Sequence, residues 1–258
     1  MAKANVDTGS LISSSWEFFS KNLNKLWQVA VLLSLPSILS ALFTQPKAVT
    51  EEDLQGITDV SGFAETVFGV SLATVGLFVL VMLIVSVVYS AVVYGGSVST
   101  LLHALRGGSS DISFSGVFNA GGQRFGQVIL LGIAVGIPVV LGMILLIIPG
   151  LIVAFLLSLS LHFMIDKKLG IGESMSASYN AIKDNVGSVF MTYLMVFLIT
   201  FGVSLVSGII FGSSGGRVMQ ILAAVVAGFV STYTLVVATK LYLALTHHSA
   251  AGSASSAE

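Results

Sequence analysis

Gln127 to Ile165 limits what this chain can become. Its 39 residues contain no Asp, Glu, Lys or Arg, and Ile148-Pro149-Gly150 interrupt it just past the middle. As one helix it would run roughly 58 Å at 1.5 Å per residue, about twice the ~30 Å hydrocarbon core of a bilayer. As two arms it fits, each near the minimum spanning length. Proline cannot donate to the preceding turn and glycine relaxes the backbone, so the reversal is expected at Pro149 and Gly150. A buried soluble hairpin is the alternative, but nothing else in the sequence has the polar surface to cover it.

The rest of the composition agrees. Hydrophobic residues make up 55% of the 258-residue chain and charged residues 9%, with a mean hydropathy of +0.99. Soluble domains carry roughly 25% charged residues, so a polytopic membrane protein is expected. A net charge of −1 makes no case for nucleic acid, and the lack of cysteine excludes disulfides, thiolate metal sites and cysteine nucleophiles. Residues 1–25 hold Asp7, Glu17, Lys21 and Lys25 before any apolar core, which reads as an uncleaved signal anchor. No lipidation motif is present.

Hydropathy predicts an all-α fold of six spans, near 26–43, 70–93, 127–147, 151–165, 188–211 and 218–245, paired as three hairpins. Together they form a single membrane domain over residues 1–248, followed by a small-residue tail at 249–258 expected to be disordered. Past residue 93 the apolar pattern of span two runs on through Tyr94-Gly95-Gly96 to Leu105, so its helix either extends or breaks at the glycines. Pro36 and Pro138 lie inside spans and are expected to kink them. Residues 44–69 are the most acidic part, with Glu51, Glu52, Asp53, Asp59 and Glu65. Thr50 starts a capping-box pattern there, and the carboxylates read as a solvated face because their spacing matches no calcium loop.

Three amphipathic segments precede spans one, three and five. Each has a Ser-aromatic pair and a second aromatic eleven residues after the first: Ser15-Trp16 with Trp27, Ser113-Phe114 with Phe125, and Ser178-Tyr179 with Phe190. Asn22 and Asn185 fall at equal offsets in the first and third. The six aromatics are expected to anchor at the membrane interface, and the pattern suggests three repeated units of interfacial helix, bend and hairpin. With the N-terminus on side one, that side holds nine of the eleven basic residues and the other only Lys47 and Arg217. The positive-inside rule then places both termini in the cytosol. Lys167, Lys168 and Lys183 are expected to touch anionic headgroups.

Candidate chemistry is sparse. No span carries an ionisable residue at its centre, which disfavours proton-coupled carriers and ion pumps. His103, His162 and Asp166 fall near the same ends of spans two and four, where a His-Asp metal or proton site would need the helices to touch; an interfacial histidine bonded to a neighbour is the simpler reading. Gly122/Gly126, Gly132/Gly136 and Gly212/Gly216 have the spacing that lets helices approach closely, within the chain or between copies. Thr200, Ser204 and Ser207 in span five, with Ser231, Thr232 and Thr234 in span six, either line a polar path or satisfy one another across helices. No phosphate loop, HExxH, GxSxG or paired in-membrane carboxylate occurs, so no enzyme, metal or cofactor is expected.

From Leu105 to Phe190 a particular order of motifs stands out. It runs through Leu105-Arg106-Gly107, Phe114, Phe118, Leu145-Leu146-Ile147-Ile148-Pro149-Gly150, Asp166-Lys167-Lys168-Leu169-Gly170, Glu173, Ser174, Ser178 and Lys183-Asp184-Asn185. This middle third resembles the membrane domain beside some glycerophosphodiester phosphodiesterases and the stand-alone YciC-type inner-membrane proteins. The resemblance implies a polytopic helical protein of a prokaryotic cytoplasmic membrane with a loose link to envelope and lipid upkeep. It does not imply phosphodiesterase activity, which belongs to a separate soluble domain. The functional expectation is a non-enzymatic protein meeting membrane lipids, a larger complex or a second copy. A passive carrier for a neutral or amphipathic solute is the alternative.

Overall fold

The computed structural model describes residues 6–43, 72–108, 112–211 and 216–254. The acidic connection after span one, the helix start at Thr50, the turn at residues 212–215 and the last residues of the tail lie outside them. Ten helices and no strands are found among the described residues. They are α1 (Thr8–Lys21), α2 (Leu23–Phe43), α3 (Leu72–Leu105), α4 (Phe114–Gly122), α5 (Phe125–Leu145), α6 (Ile147–Leu156), α7 (Ser160–Lys167), α8 (Ile171–Lys183), α9 (Val186–Phe211) and α10 (Arg217–Ala254). Six segments are long and apolar enough to cross a membrane, with α6 and α7 together making the fourth. The protein is an all-α polytopic membrane protein.

The short helices α1, α4 and α8 are the three amphipathic segments, and each leads through a bend into a span. Asp7 caps α1 through Gly9 and Ser10 N–H, and Ser113 caps α4 through Gly116 N–H. At α8 the Glu173 carboxylate accepts the Gly170 N–H. Each short helix packs on the span before it: α4 on α3, α8 on α7, and α1 on α10, which closes the ring between first and last spans. The repeat is sharpest between the first and third units. The buried residues of α1 are Leu11, Ser15 and Phe19, and those of α8 are Ser174, Ser178 and Ile182, each pair at the same offset. At the bends, Asn22 donates to the Phe18 carbonyl (2.8 Å) and Asn185 to the Ala181 carbonyl (2.9 Å). The second unit departs: α4 is shorter, and Ser113 stands at its N-cap rather than within it.

The core is concentrated at the end where these helices lie. Leu26, Val29, Val98, Leu101, Leu159, Ile182, Val236 and Leu241 are fully buried there. Farther along the same helices the packing opens. Leu77 to Val85 of α3 are all between 48% and 64% exposed, and α5, α6 and α9 present equally bare apolar faces. Such a surface is incompatible with water and natural for hydrocarbon.

Three expectations need correction and one open alternative is decided. The hairpin does not reverse at Pro149-Gly150: it turns at Leu146 (φ −160°, ψ 140°), between α5 and α6. Pro149 is the third residue of α6, where a helix needs no N–H from it. Gly150 instead lets α6 lie against α5, because a Cβ there would sit 2.6 Å from the Met143 nitrogen and one on Gly142 would sit 2.8 Å from Gly150. Second, of the two courses open to span two past residue 93, the helix takes extension: it continues through Gly95-Gly96 to Leu105, its glycines serving contact with α4, where a Cβ on Gly96 would come within 1.9 Å of the Val117 carbonyl. Third, the fourth span is broken at Leu157–Leu159. Finally, α10 continues to Ala254 across the start of the tail, where alanine favours helix. Pro36 and Pro138 sit within continuous helices.

Candidate functional site at the basic end

Two polar constellations occupy the packed end. The first joins spans two, four and six. Arg106, just past α3, meets the Asp166 carboxylate of α7 with both guanidinium nitrogens (2.5 and 2.8 Å). Tyr242 of α10 donates its hydroxyl to the same carboxylate at 2.5 Å. The hydrogen bonds it donates to Asp166 hold the Arg106 guanidinium above its usual pKa, so it stays charged. His162 stacks on the Tyr242 ring at 5.6 Å and has Nε2 3.3 Å from the Thr239 hydroxyl. Its Nδ1 is buried without a partner. Spans two and four do touch, but Arg106 reaches Asp166 rather than His103. Among the described residues no three His, Asp or Glu side chains stand close enough to hold a metal. A bidentate ion pair with a tyrosine brace is a clamp between helices, and that is its chemistry here.

The break in span four is sealed by the amphipathic helix α8 beside it. Ser178 of α8, fully buried, donates to the Leu156 carbonyl (2.9 Å) and accepts the Leu159 N–H (3.2 Å). A freed backbone pair at membrane depth must find such partners. Ser158 and Ser160 bond back to Phe155 and Leu157, which favours the bend, and Tyr193 of α9 donates to Ser158 at 3.0 Å. In the sequence Ser178 is half of a Ser-aromatic pair and one of the serines that carry the resemblance; its bridging role needs the tertiary fold.

The second constellation is a cavity of about 770 Å³ between the end of α3, α4, the start of α5 and the end of α7. His103, Arg124 and Lys168 line it, with Ser99, Asn119 and Gln123 between them and, among the described residues, no carboxylate. The sequence grouped Lys168 with Lys167 and Lys183, but the structure separates them. Lys167 lies over the Phe163 ring and Lys183 over Tyr179, whereas Lys168 faces the cavity from a left-handed backbone (φ 54°). In the sequence Arg124 counts only toward the positive-inside bias, because it stands alone between two apolar segments.

The six aromatics of the repeated pattern, Trp16, Trp27, Phe114, Phe125, Tyr179 and Phe190, all keep exposed surface. Trp16 stacks on Phe19 and meets Tyr233 edge-on, Trp27 meets Phe114, and Phe190 meets Phe155. Gly122, Gly126, Gly132 and Gly136 have no neighbour within 4 Å of a built Cβ, so close contact within the chain falls to Gly96, Gly121, Gly142, Gly150 and Gly228. Thr200, Thr232 and Thr234 donate to carbonyls of their own helices rather than across to one another.

The fold and these sites define a polytopic helical membrane protein with its polar groups gathered at one end. No family model matches the chain, and no curated protein or solved structure is similar to it.

Proposed function

We propose that this is a non-enzymatic protein of a prokaryotic cytoplasmic membrane, with both termini in the cytosol, that engages anionic lipid headgroups and serves envelope lipid maintenance or a larger membrane complex. The carrying observation is the set of three interfacial helices, each docked on a span at the basic end and each flanked by aromatics that keep exposed surface. Aromatic belts with nearby Lys and Arg match the headgroup layer of an anionic leaflet. The absence of charge from the middle of the spans argues in the same direction.

Two measurements test this reading. Because the chain has no cysteine, Ser176→Cys on exposed α8 and Gly216→Cys ahead of α10 report topology singly. The first should react with an impermeant maleimide only after the cytosolic side is opened, and the second in intact cells; the reverse pattern defeats the orientation. The purified protein should also retain anionic lipid or a partner through detergent exchange, and retention of neither defeats the function. Passage of an amphipathic solute is the competing reading. It is favoured by two adjoining grooves along α9 and α10, one of them also walled by α1, that Thr200, Ser204 and Ser207 help to line, and flux in proteoliposomes separates the two.

A further inference from the structure

The polar cavity does not end at its basic lining. Val128 also lines a second, apolar groove of about 570 Å³ between α3 and α5, whose walls include Val87, Ala91, Tyr94, Ile129 and Ile133. Tyr94 of the groove is followed directly by Gly95 of the cavity, so the two spaces adjoin along both helices. One is polar and cationic and the other is a trough for hydrocarbon, which is the division of chemistry within a membrane lipid.

The charges of this end point to the same place. Lys21 pairs with Glu17, Arg106 with Asp166, and Lys240 donates to the Ser14 carbonyl while lying over Phe18. Lys167 and Lys183 lie over rings. Among the described residues Lys25, Arg124 and Lys168 have no such partner, and two of these three line the cavity together with His103. Arg124 immediately precedes the span that begins at Phe125, and Lys168 immediately follows the one that ends at Lys167. Both therefore sit at the boundary of the hydrocarbon, the level of lipid phosphates. Lys168 also occupies a left-handed cap position suited to glycine or asparagine; the fold forgoes the better cap residue and places a cation there.

We infer that the composite site binds one anionic phospholipid, its phosphate between Arg124 and Lys168 and an acyl chain in the α3–α5 groove. A guanidinium fork and an ammonium, with Asn119, Gln123 and Ser99 as neutral partners, suit a tetrahedral phosphate, and the cavity volume is in the range of small-ligand sites. The inference rests on the lipid-binding reading above and narrows it to one place.

The test uses the full chain in nanodiscs of equal parts phosphatidylglycerol and phosphatidylcholine, with bound lipid measured by native mass spectrometry. Phosphatidylglycerol should be enriched. Arg124→Gln and Lys168→Gly should each lower the enrichment about fivefold, the effect of one basic residue near an anionic surface. Lys21→Gln should leave it within about twofold, since it removes an exposed charge already paired with Glu17 outside the cavity. Glycine suits the backbone at 168, so that variant should keep wild-type thermal stability, and its lost lipid cannot be ascribed to unfolding. Ile133→Trp, which fills the groove, should weaken lipid binding with both charges intact. Enrichment that survives Arg124→Gln and Lys168→Gly overturns this site and leaves general headgroup contact standing. No enrichment in the wild type overturns both. Displacement of the lipid by glycerol 3-phosphate at equal concentration means a soluble phosphate ligand, and overturns the lipid assignment.

Discussion

Replacing Ser178 by alanine is the sharpest test of how this fold holds its broken span. The hydroxyl serves two backbone groups, the Leu156 carbonyl at 2.9 Å and the Leu159 N–H at 3.2 Å, where the side chain has no solvent exposure. An orphaned buried polar group costs roughly 1–3 kcal/mol in water-soluble proteins. Hydrogen bonds within membrane helices average nearer 0.6 kcal/mol. With two groups orphaned at once, a loss of about 2 kcal/mol follows from those bounds. Ser15 supplies the internal control. It occupies the same place in α1 and is equally buried, but its hydroxyl only returns to the Leu11 carbonyl of its own helix. That bond is redundant with the helix ladder, so Ser15→Ala should cost less than about 0.5 kcal/mol. Unfolding in mixed micelles, followed by circular dichroism, measures both. A Ser178 loss no greater than the Ser15 loss would refute the claim that α8 seals the break.

Other substitutions probe the remaining contacts. Gly121→Ala places a Cβ 1.9 Å from the Val92 carbonyl and should cost about 3 kcal/mol or more by overpacking. Gly136→Ala meets nothing within 4 Å and should be neutral or stabilising by up to about 1 kcal/mol in the same assay. Pro149→Ala should change stability by less than about 1 kcal/mol, because a first-turn proline holds no ladder bond. Gly150→Ala should be severe, and equal effects at the two positions would restore the turn to Pro149-Gly150. In a double-mutant cycle, Arg106→Gln and Asp166→Asn should couple by about 1 kcal/mol, the half-exposed guanidinium keeping the figure small. Coupling indistinguishable from zero would remove the clamp from the account.

What the sequence disclosed and what it hid divide along a physical line. Spans are a matter of composition over twenty residues, and Gln127–Ile165 announced its two arms without any partner. The bends after α1 and α8 were also visible, because Asn22 and Asn185 act on carbonyls four residues back, within reach of local reading. The fracture at Leu157–Leu159 was not, since no Pro or Gly marks it and the group that tolerates it, Ser178, belongs to another helix. The reversal was placed three residues late because Pro149 and Gly150 look like a turn until Gly142 and Met143 of α5 are set against them. The basic cavity was hidden for the same reason: His103, Arg124 and Lys168 come from the ends of three spans, and only packing brings them round one space.

The uneven burial along α3 has a further consequence. Residues such as Val98 and Leu101 owe their surroundings to this chain, whereas Leu77 to Val85 owe theirs to whatever bilayer they inhabit. Two solvents thus judge one helix, and only one of them is encoded by the gene. The girth of the molecule in the far leaflet follows acyl-chain length and lateral pressure, while its girth at the basic end is fixed by contacts such as Gly96 on Val117.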